Sequence, residues 1–335
     1  MRWTLAWLLA VTCATASIAA DAGVRRAARD AHGYLGVCHV PDHGFGSYSR
    51  WKRLPGGEML FPRSVDRNES GAYDVVIHFH RREAVRRSFV EAAHGVVLVG
   101  IDLGPTAKSY GRVFRRPQAF PALLTNITRA LARYSHDPRA HIRHLALSSF
   151  SAGYGAVREI LALYGDAIDA VVLLDSLHSD YVPRKLLGAD ATNRQVWGAP
   201  IASVIQYARR AARGEVTLFV SHSQVVPPSY ASTSEVADYL IDEVGGPAPN
   251  EGIETDAIDA PTGTVTEIEG GVVSAFDRAG MHVRGYVGSD GAAHCAQVRL
   301  FAEAVRDYLE PSWSAARSEP PSGARKIVVR DVLIE

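Results

Sequence analysis

At 335 residues, 47% of them hydrophobic and 21% charged, the chain has enough apolar material for a large folded core and is too hydrophobic to be an intrinsically disordered protein. Lys plus Arg and Asp plus Glu each number 36, so the formal charge is zero and no summed field draws the protein toward nucleic acid or an anionic membrane. The expected partner is a neutral or small substrate.

In chain order, Arg2 precedes an apolar run from Trp3 to Val11, small residues follow through Ser17-Ile18-Ala19-Ala20, and Asp21 comes next. This order predicts a secretory signal peptide over residues 1–20, cut after Ala19 or Ala20, and a secreted or periplasmic mature protein. The apolar run is short for a bilayer span, so no stable membrane insertion is expected once the signal is removed. A buried N-terminal helix and lipoprotein processing at Cys13 are the competing readings. The polar segment that follows weighs against the first, and Ala10-Val11-Thr12 against the second. Removal of the signal leaves Cys38 and Cys295, which either pair in an oxidising compartment or stand as two separate buried thiols. Both readings remain open at this level.

Residues 21–71, rich in glycine and aromatics, are expected to supply a leading helix and edge strands. From residue 74 onward, short apolar runs alternate with helical patterns, the mark of a mostly parallel sheet covered by helices. Strands are predicted at Val75 to Phe79, Gly95 to Ile101, Ile142 to Ser148, Ala170 to Leu174, Val216 to Val220 and His282 to Val287. Helices are predicted at Glu83 to Ala93, Pro121 to Tyr134, Ala152 to Tyr164, Ser203 to Arg213 and Ala296 to Leu309, the last strongly amphipathic. The fold class that follows is α/β, a three-layer sandwich around a mostly parallel central sheet. Residues 224–280 interrupt the alternation with a helix near Ser234 to Val244 and an acidic, Gly/Pro-rich stretch, read as a lid-like excursion or a mobile insertion. The tail from Pro311 to Gly323 reads as a linker and Lys326 to Ile334 as an added edge strand, so the main domain is expected over residues 21–310.

The chemistry centres on Ser149-Phe150-Ser151-Ala152-Gly153, between the strand containing Leu145-Ala146-Leu147 and the helix after it. A serine on a tight strand-to-helix turn holds its hydroxyl above the sheet, and small residues two before and two after keep the backbone from colliding. Ser151 is therefore the candidate nucleophile, against the alternative that it serves as a helix N-cap. The turn and its context resemble the α/β-hydrolase superfamily over about residues 70–310, in its serine hydrolase, lipase- or esterase-like form. Ser149 departs from the glycine usual at that position.

The resemblance implies a triad in the order Ser, Asp or Glu, His, and an oxyanion hole near the end of an earlier strand. His294, in Gly288-Ser289-Asp290-Gly291-Ala292-Ala293-His294-Cys295, lies where the family carries its general base. The position after the strand at 216–220, where the acid commonly stands, reads Ser221-His222-Ser223 and holds no carboxylate. Asp175, after Leu173-Leu174, leads as the acid that orients His294. Asp290 competes, and Asp242 or Glu243 is available from the excursion. For the oxyanion hole the resemblance implies the backbone N–H of Ala152 and that of His80 or Arg81 in His78-Phe79-His80-Arg81, a segment that lacks the family's following glycine.

Two other classes compete. His78, His80, His178, His222 and His294 all fall at C-terminal strand ends, so a metal-dependent hydrolase or metal-binding protein using these histidines is the second reading, although their spacing matches no compact metal motif. A non-catalytic binding protein on a hydrolase scaffold is the third. Gly153-Tyr154-Gly155 lacks a full dinucleotide fingerprint. The leading expectation is an exported serine hydrolase that cleaves a carboxyl ester or amide of an acyl substrate without a cofactor. Tyr110, Tyr154 and Tyr230 are candidate pocket walls.

Overall fold

A computed structural model of the chain describes residues 38, 40–63, 71–183, 194–246 and 271–318. The predicted signal peptide, the first part of the segment 21–71 expected to supply a leading helix, and the strand at Lys326 to Ile334 lie outside the described residues. Among the described residues, no helix is long and apolar enough to cross a membrane.

Among the described residues, nine strands form one sheet: β1 (Lys52–Leu54), β2 (Gly57–Leu60), β3 (Ala72–Phe79), β4 (Val97–Ile101), β5 (His141–Phe150), β6 (Ala170–Leu174), β7 (Thr217–His222), β8 (Val272–Arg278) and β9 (Met281–Tyr286). Their order is β1-β2-β4-β3-β5-β6-β7-β9-β8. The six strands from β4 to β9 in that order are parallel, and the antiparallel β1, β2 and β8 close the two edges. The helices are α1 (Arg82–Ala92), α2 (Ala107–Phe114), α3 (Ala119–Ser135), α4 (Tyr154–Tyr164), α5 (Ala202–Ala211), α6 (Thr233–Glu243) and α7 (Gly291–Ala296), after which a helical run continues to Ser318.

The central strands read as unbroken apolar runs because both faces of the sheet are covered. Val75, Ile77 and Phe79 of β3, with Leu145 and Leu147 of β5, join the layer containing residues of α2 to α6. Val76 and Ala146 point the other way, into the layer formed by α1 and the C-terminal helical run. This period-two division is the expected three-layer sandwich. Chain connections pass in opposite senses from β3 to β4 and from β4 to β5, so a crevice opens above the carboxyl ends of β3 and β5, the place where sheets of this kind gather their chemistry.

Three expectations need correction. The excursion at 224–280 is not wholly outside the sheet: Val272–Arg278 is edge strand β8, paired antiparallel with β9, while residues 247–270 lie outside the described residues. The helix at Ala107–Phe114 escaped the periodicity reading because only Tyr110, Gly111 and Phe114 of its eight residues are buried. The linker expected from Pro311 is instead helical through Ser318. A π-helical turn at Ala304–Leu309 precedes Pro311, and such a turn accommodates a residue that cannot donate to the ladder. Trp313 then holds the helix down, buried and stacked 5.6 Å from the ring of His144.

Candidate active site

Strand β5 ends at Phe150 and a single 3-10 turn, Ser151–Gly153, leads into α4. Ser151 has φ of 49°, the left-handed region that a non-glycine residue enters at a cost of order 1 kcal/mol or more. The turn is tight because Gly153 lies against strand β3: a β-carbon there would stand 2.1 Å from the carbonyl oxygen of Phe79. Ser151 is half-buried, and neither helical segment at this turn has a side-chain cap, so its hydroxyl is not spent as an N-cap. No hydrogen bond joins that hydroxyl to another described residue.

Ser149, where the family pattern has glycine, is fully buried and has a specific task. The Ser176 hydroxyl donates to the carbonyl of Ser151 at 2.8 Å, which uses its only proton. The 2.7 Å contact between the Ser149 and Ser176 hydroxyls therefore has Ser149 as donor. A two-hydroxyl chain thus pins the strained turn from beneath. The residue pattern at 149 hinted at the departure, but Ser176 carried no signal in the sequence.

Asp175 is the first residue after β6, one register step from Phe150 through the pair Phe150↔Leu174, and it is 3% exposed. Its Oδ2 accepts from Nδ1 of His294 at 2.7 Å and from the Ser223 hydroxyl at 2.5 Å, while Oδ1 accepts the Ser223 N–H at 3.3 Å. Burial pushes this carboxyl upward, but the His294 hydrogen bond and charge, with the Ser223 hydroxyl, outweigh it and hold the group below its ordinary value. Ser223 stands where the sequence offered no acid; it supplies a donor to the acid that comes from the neighbouring strand.

With Nδ1 hydrogen-bonded to a carboxylate, His294 presents Nε2 as its proton-accepting edge. The ring stacks on Phe150, centroids 4.7 Å apart, and Phe150 stacks in turn on His80 at 6.3 Å. One aromatic side chain, the immediate neighbour of Ser151, therefore separates two imidazoles. Two of the competing acids are occupied elsewhere. Asp290 is exposed and caps α7, accepting the Ala293 N–H at 2.9 Å, and Glu243 pairs with Arg209 at 2.5 Å.

The expected oxyanion donors fare differently. Ala152 lies in the first helical turn, where N–H groups have no intrahelical acceptor. The His80 N–H, by contrast, donates to the Ile101 carbonyl at 3.0 Å, because the parallel β3–β4 ladder runs one residue past the strand. His80 is thereby removed as a backbone donor. The Arg81 N–H, the alternative within the same segment, finds no acceptor among the described residues. His80 and Arg81 have φ of 78° and 61°, and this bend is held by His78, whose Nε2–H donates to the His80 carbonyl at 2.7 Å. His78 Nδ1 must then accept from the Ser148 hydroxyl at 2.9 Å.

The five histidines do not converge. His78 is fully buried and burial pushes it down to about 4. His80, also lowered to about 4 by burial and then by the Arg81 charge, sits 3.0 Å from the hydroxyl of fully buried Tyr110. Tyr110 is thus a buttress of His80, not a pocket wall. His178, held down to about 4 by burial, lies edge-on between Tyr154 and Tyr230 at 5.4 and 5.2 Å, and His222 packs over Gly285. Among the described residues, no group of three or more His, Cys, Asp or Glu side chains is arranged to hold a metal ion. This weighs against the second reading, in which these rings gather around a metal: they are engaged separately, by Ser148, Tyr110, the Tyr154 and Tyr230 rings, Ser223 and Asp175.

The two cysteines settle the alternative left open by the sequence. Cys38 and Cys295 form a disulfide with Cα atoms 5.0 Å apart, so the residue following His294 is covalently tied to the N-terminal segment.

No family model and no curated protein matches the sequence. Among solved structures, the chain is similar to a thermostable esterase, at 11% identity and a TM-score of 0.42, with 77% of this chain and 58% of that one covered. It is also similar to a mutant of the feruloyl esterase module from Clostridium thermocellum complexed with sinapinate, at 12% identity and a TM-score of 0.43, covering 83% and 92% of the two chains. A siderophore hydrolase, EstB from Aspergillus nidulans, is similar at 12% identity and a TM-score of 0.41, covering 81% and 98%. This chain thus spans less than two thirds of the first of these three.

Proposed function

We propose that this chain is an α/β-hydrolase-like, exported serine hydrolase that cleaves a carboxyl ester through an acyl-enzyme on Ser151. The observation that carries the reading is the 2.7 Å bond between His294 Nδ1 and the buried Asp175 carboxylate, made one strand over from the turn that holds Ser151 in a left-handed conformation and does not spend it on a cap.

In this reading Ser151 Oγ attacks the carbonyl carbon while His294 Nε2 takes the hydroxyl proton, and Asp175 stabilises the imidazolium that forms. The tetrahedral oxyanion is received by the N–H groups of Ala152 and Arg81. Collapse of that intermediate expels the alcohol, which collects the proton from His294. Water, activated by the same imidazole, then hydrolyses the acyl-enzyme and returns Ser151. Esters rank above amides because an alcohol leaves more readily than an amine and demands less of the acid. Ser223 and Ser176 act through others, the first on Asp175 and the second on the Ser151 turn.

Export is part of the proposal. The signal-like order of residues 1–20 supports it, and so does the Cys38–Cys295 disulfide, a bond that persists in oxidising compartments and is rare in the cytosol. A fluorophosphonate probe tests the catalytic core: stoichiometric labelling that disappears in Ser151→Ala is expected, and chelators should leave ester turnover unchanged. Labelling that persists in the variant would remove Ser151 as nucleophile.

A further inference from the structure

We infer that the Cys38–Cys295 disulfide is the device that positions the His294 imidazole, so that opening it lowers turnover while leaving substrate binding in place. The inference rests on the reading of His294 as general base.

His294 rides on α7, a helix of six residues of which none is buried. Only Cys295 and Ala296, both partly exposed, pack against the apolar layer below, so the helix receives little hydrophobic stabilisation and opens locally at low free-energy cost. It is entered through Gly288, whose φ of 117° only glycine adopts readily and whose N–H and carbonyl are bonded to the Gln224 side chain and N–H at 3.2 and 2.8 Å, which fixes the entry to the helix and not the imidazole six residues on. Among the described residues, the non-covalent restraints on the helix are the partial packing of Cys295 and Ala296, the Asp290 cap, the Phe150 ring and the Asp175 bond itself. The last two act on the imidazole and are lost together when it swings away.

The other end of the disulfide is fixed. Cys38 is 4% exposed, within the apolar layer that α1 shares with the C-terminal helical run. Two residues on, the Val40 carbonyl accepts from Arg87 of α1 at 2.8 Å, and the fully buried Arg86 reaches Asp42 at 2.7 Å and the Gly44 carbonyl. From the same helix the Ser88 hydroxyl shares its one proton between the Val85 carbonyl at 3.2 Å and the Val298 carbonyl at 3.1 Å, the latter four residues beyond His294. The N-terminal strap, α1 and the start of the C-terminal run thus form one packed unit. Cys295 attaches the poorly packed histidine helix to it at the position next to the base. A covalent tie is effective there because it works even when the imidazole has left Asp175.

Opening the bond chemically is a balanced exchange: dithiothreitol supplies two electrons and two protons, leaves thiols at Cys38 and Cys295, and closes into its own cyclic disulfide. The test compares full-length oxidised enzyme, the same enzyme after reduction below its Tm, and the double variant Cys38→Ser with Cys295→Ser, on p-nitrophenyl acetate. A fall in kcat of about 10- to 100-fold is expected, the scale on which misplacing a catalytic group by about 1 Å acts. KM should stay within about twofold, and reoxidation of the reduced enzyme should restore kcat. Reduced enzyme with native circular dichroism and kcat within about twofold of the oxidised form would overturn the inference. So would activity that disappears only in step with the circular dichroism signal, since the bond would then merely hold the fold; the reduced wild-type protein gives this answer even if the double variant does not fold. His294→Ala, assayed alongside, separates the two levels. An inactive His294→Ala with a fully active disulfide-free enzyme sinks this inference alone, whereas an active His294→Ala sinks the reading beneath it.

Discussion

His294 meets Asp175 across 119 residues of chain, Nδ1 to Oδ2 at 2.7 Å, although one stands on the helix that follows β9 and the other at the carboxyl end of β6. Asp290, only four residues from His294, turns its carboxylate to the helix terminus instead. The two acids therefore predict separable effects. Asp175→Asn should reduce kcat by about 10³- to 10⁴-fold, because the amide no longer stabilises imidazolium or fixes the tautomer. Asp290→Asn should leave kcat within about threefold and cost at most about 1 kcal/mol of stability, since asparagine is also a good cap. Steady-state kinetics of both variants on one activated ester decides, and the opposite ordering would hand the role to Asp290.

Ser151→Ala should lower kcat by about 10⁵- to 10⁶-fold on an activated ester, the scale typical of triad nucleophiles, with the fold intact. The substitution removes only a hydroxyl that caps no helix, so thermal denaturation should be unchanged within about 2 °C. A loss of activity below tenfold would overturn the assignment.

Gly153→Ala should damage the site through the backbone. Its methyl group would stand 2.1 Å from the Phe79 carbonyl oxygen, and backbone on both sides cannot give way cheaply. Overpacking of this kind costs roughly 1 to 3 kcal/mol or more, and the turn must shift to relieve it. The expected result is a lower midpoint in urea together with slower fluorophosphonate labelling. A variant with parent stability and labelling rate would show that the turn is not constrained by β3.

Acid should weaken the fold partly through His78. In the unfolded chain this imidazole titrates near 6.5, while in the folded protein burial depresses it to about 4. Between those values the unfolded chain binds a proton that the folded one does not, so stability is full above pH 6.5 and is lost as pH falls toward 4. The difference corresponds to about 3 kcal/mol for this one group. Urea titrations at pH 7 and pH 4.5 should show the loss, and His78→Gln, which cannot titrate, should flatten the pH dependence by about one proton. An unchanged slope in the variant would mean that other groups carry it.

Much of the architecture was legible because burial on both faces writes itself into composition. Ala170–Leu174 is strand from end to end as its apolar run implies, and the neighbouring parallel strands deviate from expectation only at their ends. Edge strand β8 was hidden because it alternates weakly: its pattern runs from exposed Val272 and Val273 to exposed Asp277 and Arg278, with nothing fully buried between. The helix through Pro311 was hidden for another reason. Local chemistry argues against helix at a proline, and burial of Trp313 against His144, a contact over 169 positions of chain, overrides it.

By itself the sequence determined the layered α/β plan, the strand-turn-helix that carries Ser151, and a short list of histidines and acids, since these follow from periodicity and from side-chain size along a contiguous stretch. Only the tertiary structure decided that Asp175 bonds His294, that Ser223 and Ser176 support them, that the His80 N–H belongs to the sheet, and that Cys38 is joined to Cys295. Each of these is a relation between distant segments. Its outcome depends on which strand ends lie side by side, and that is set by the packing of the whole sheet and not by any local pattern.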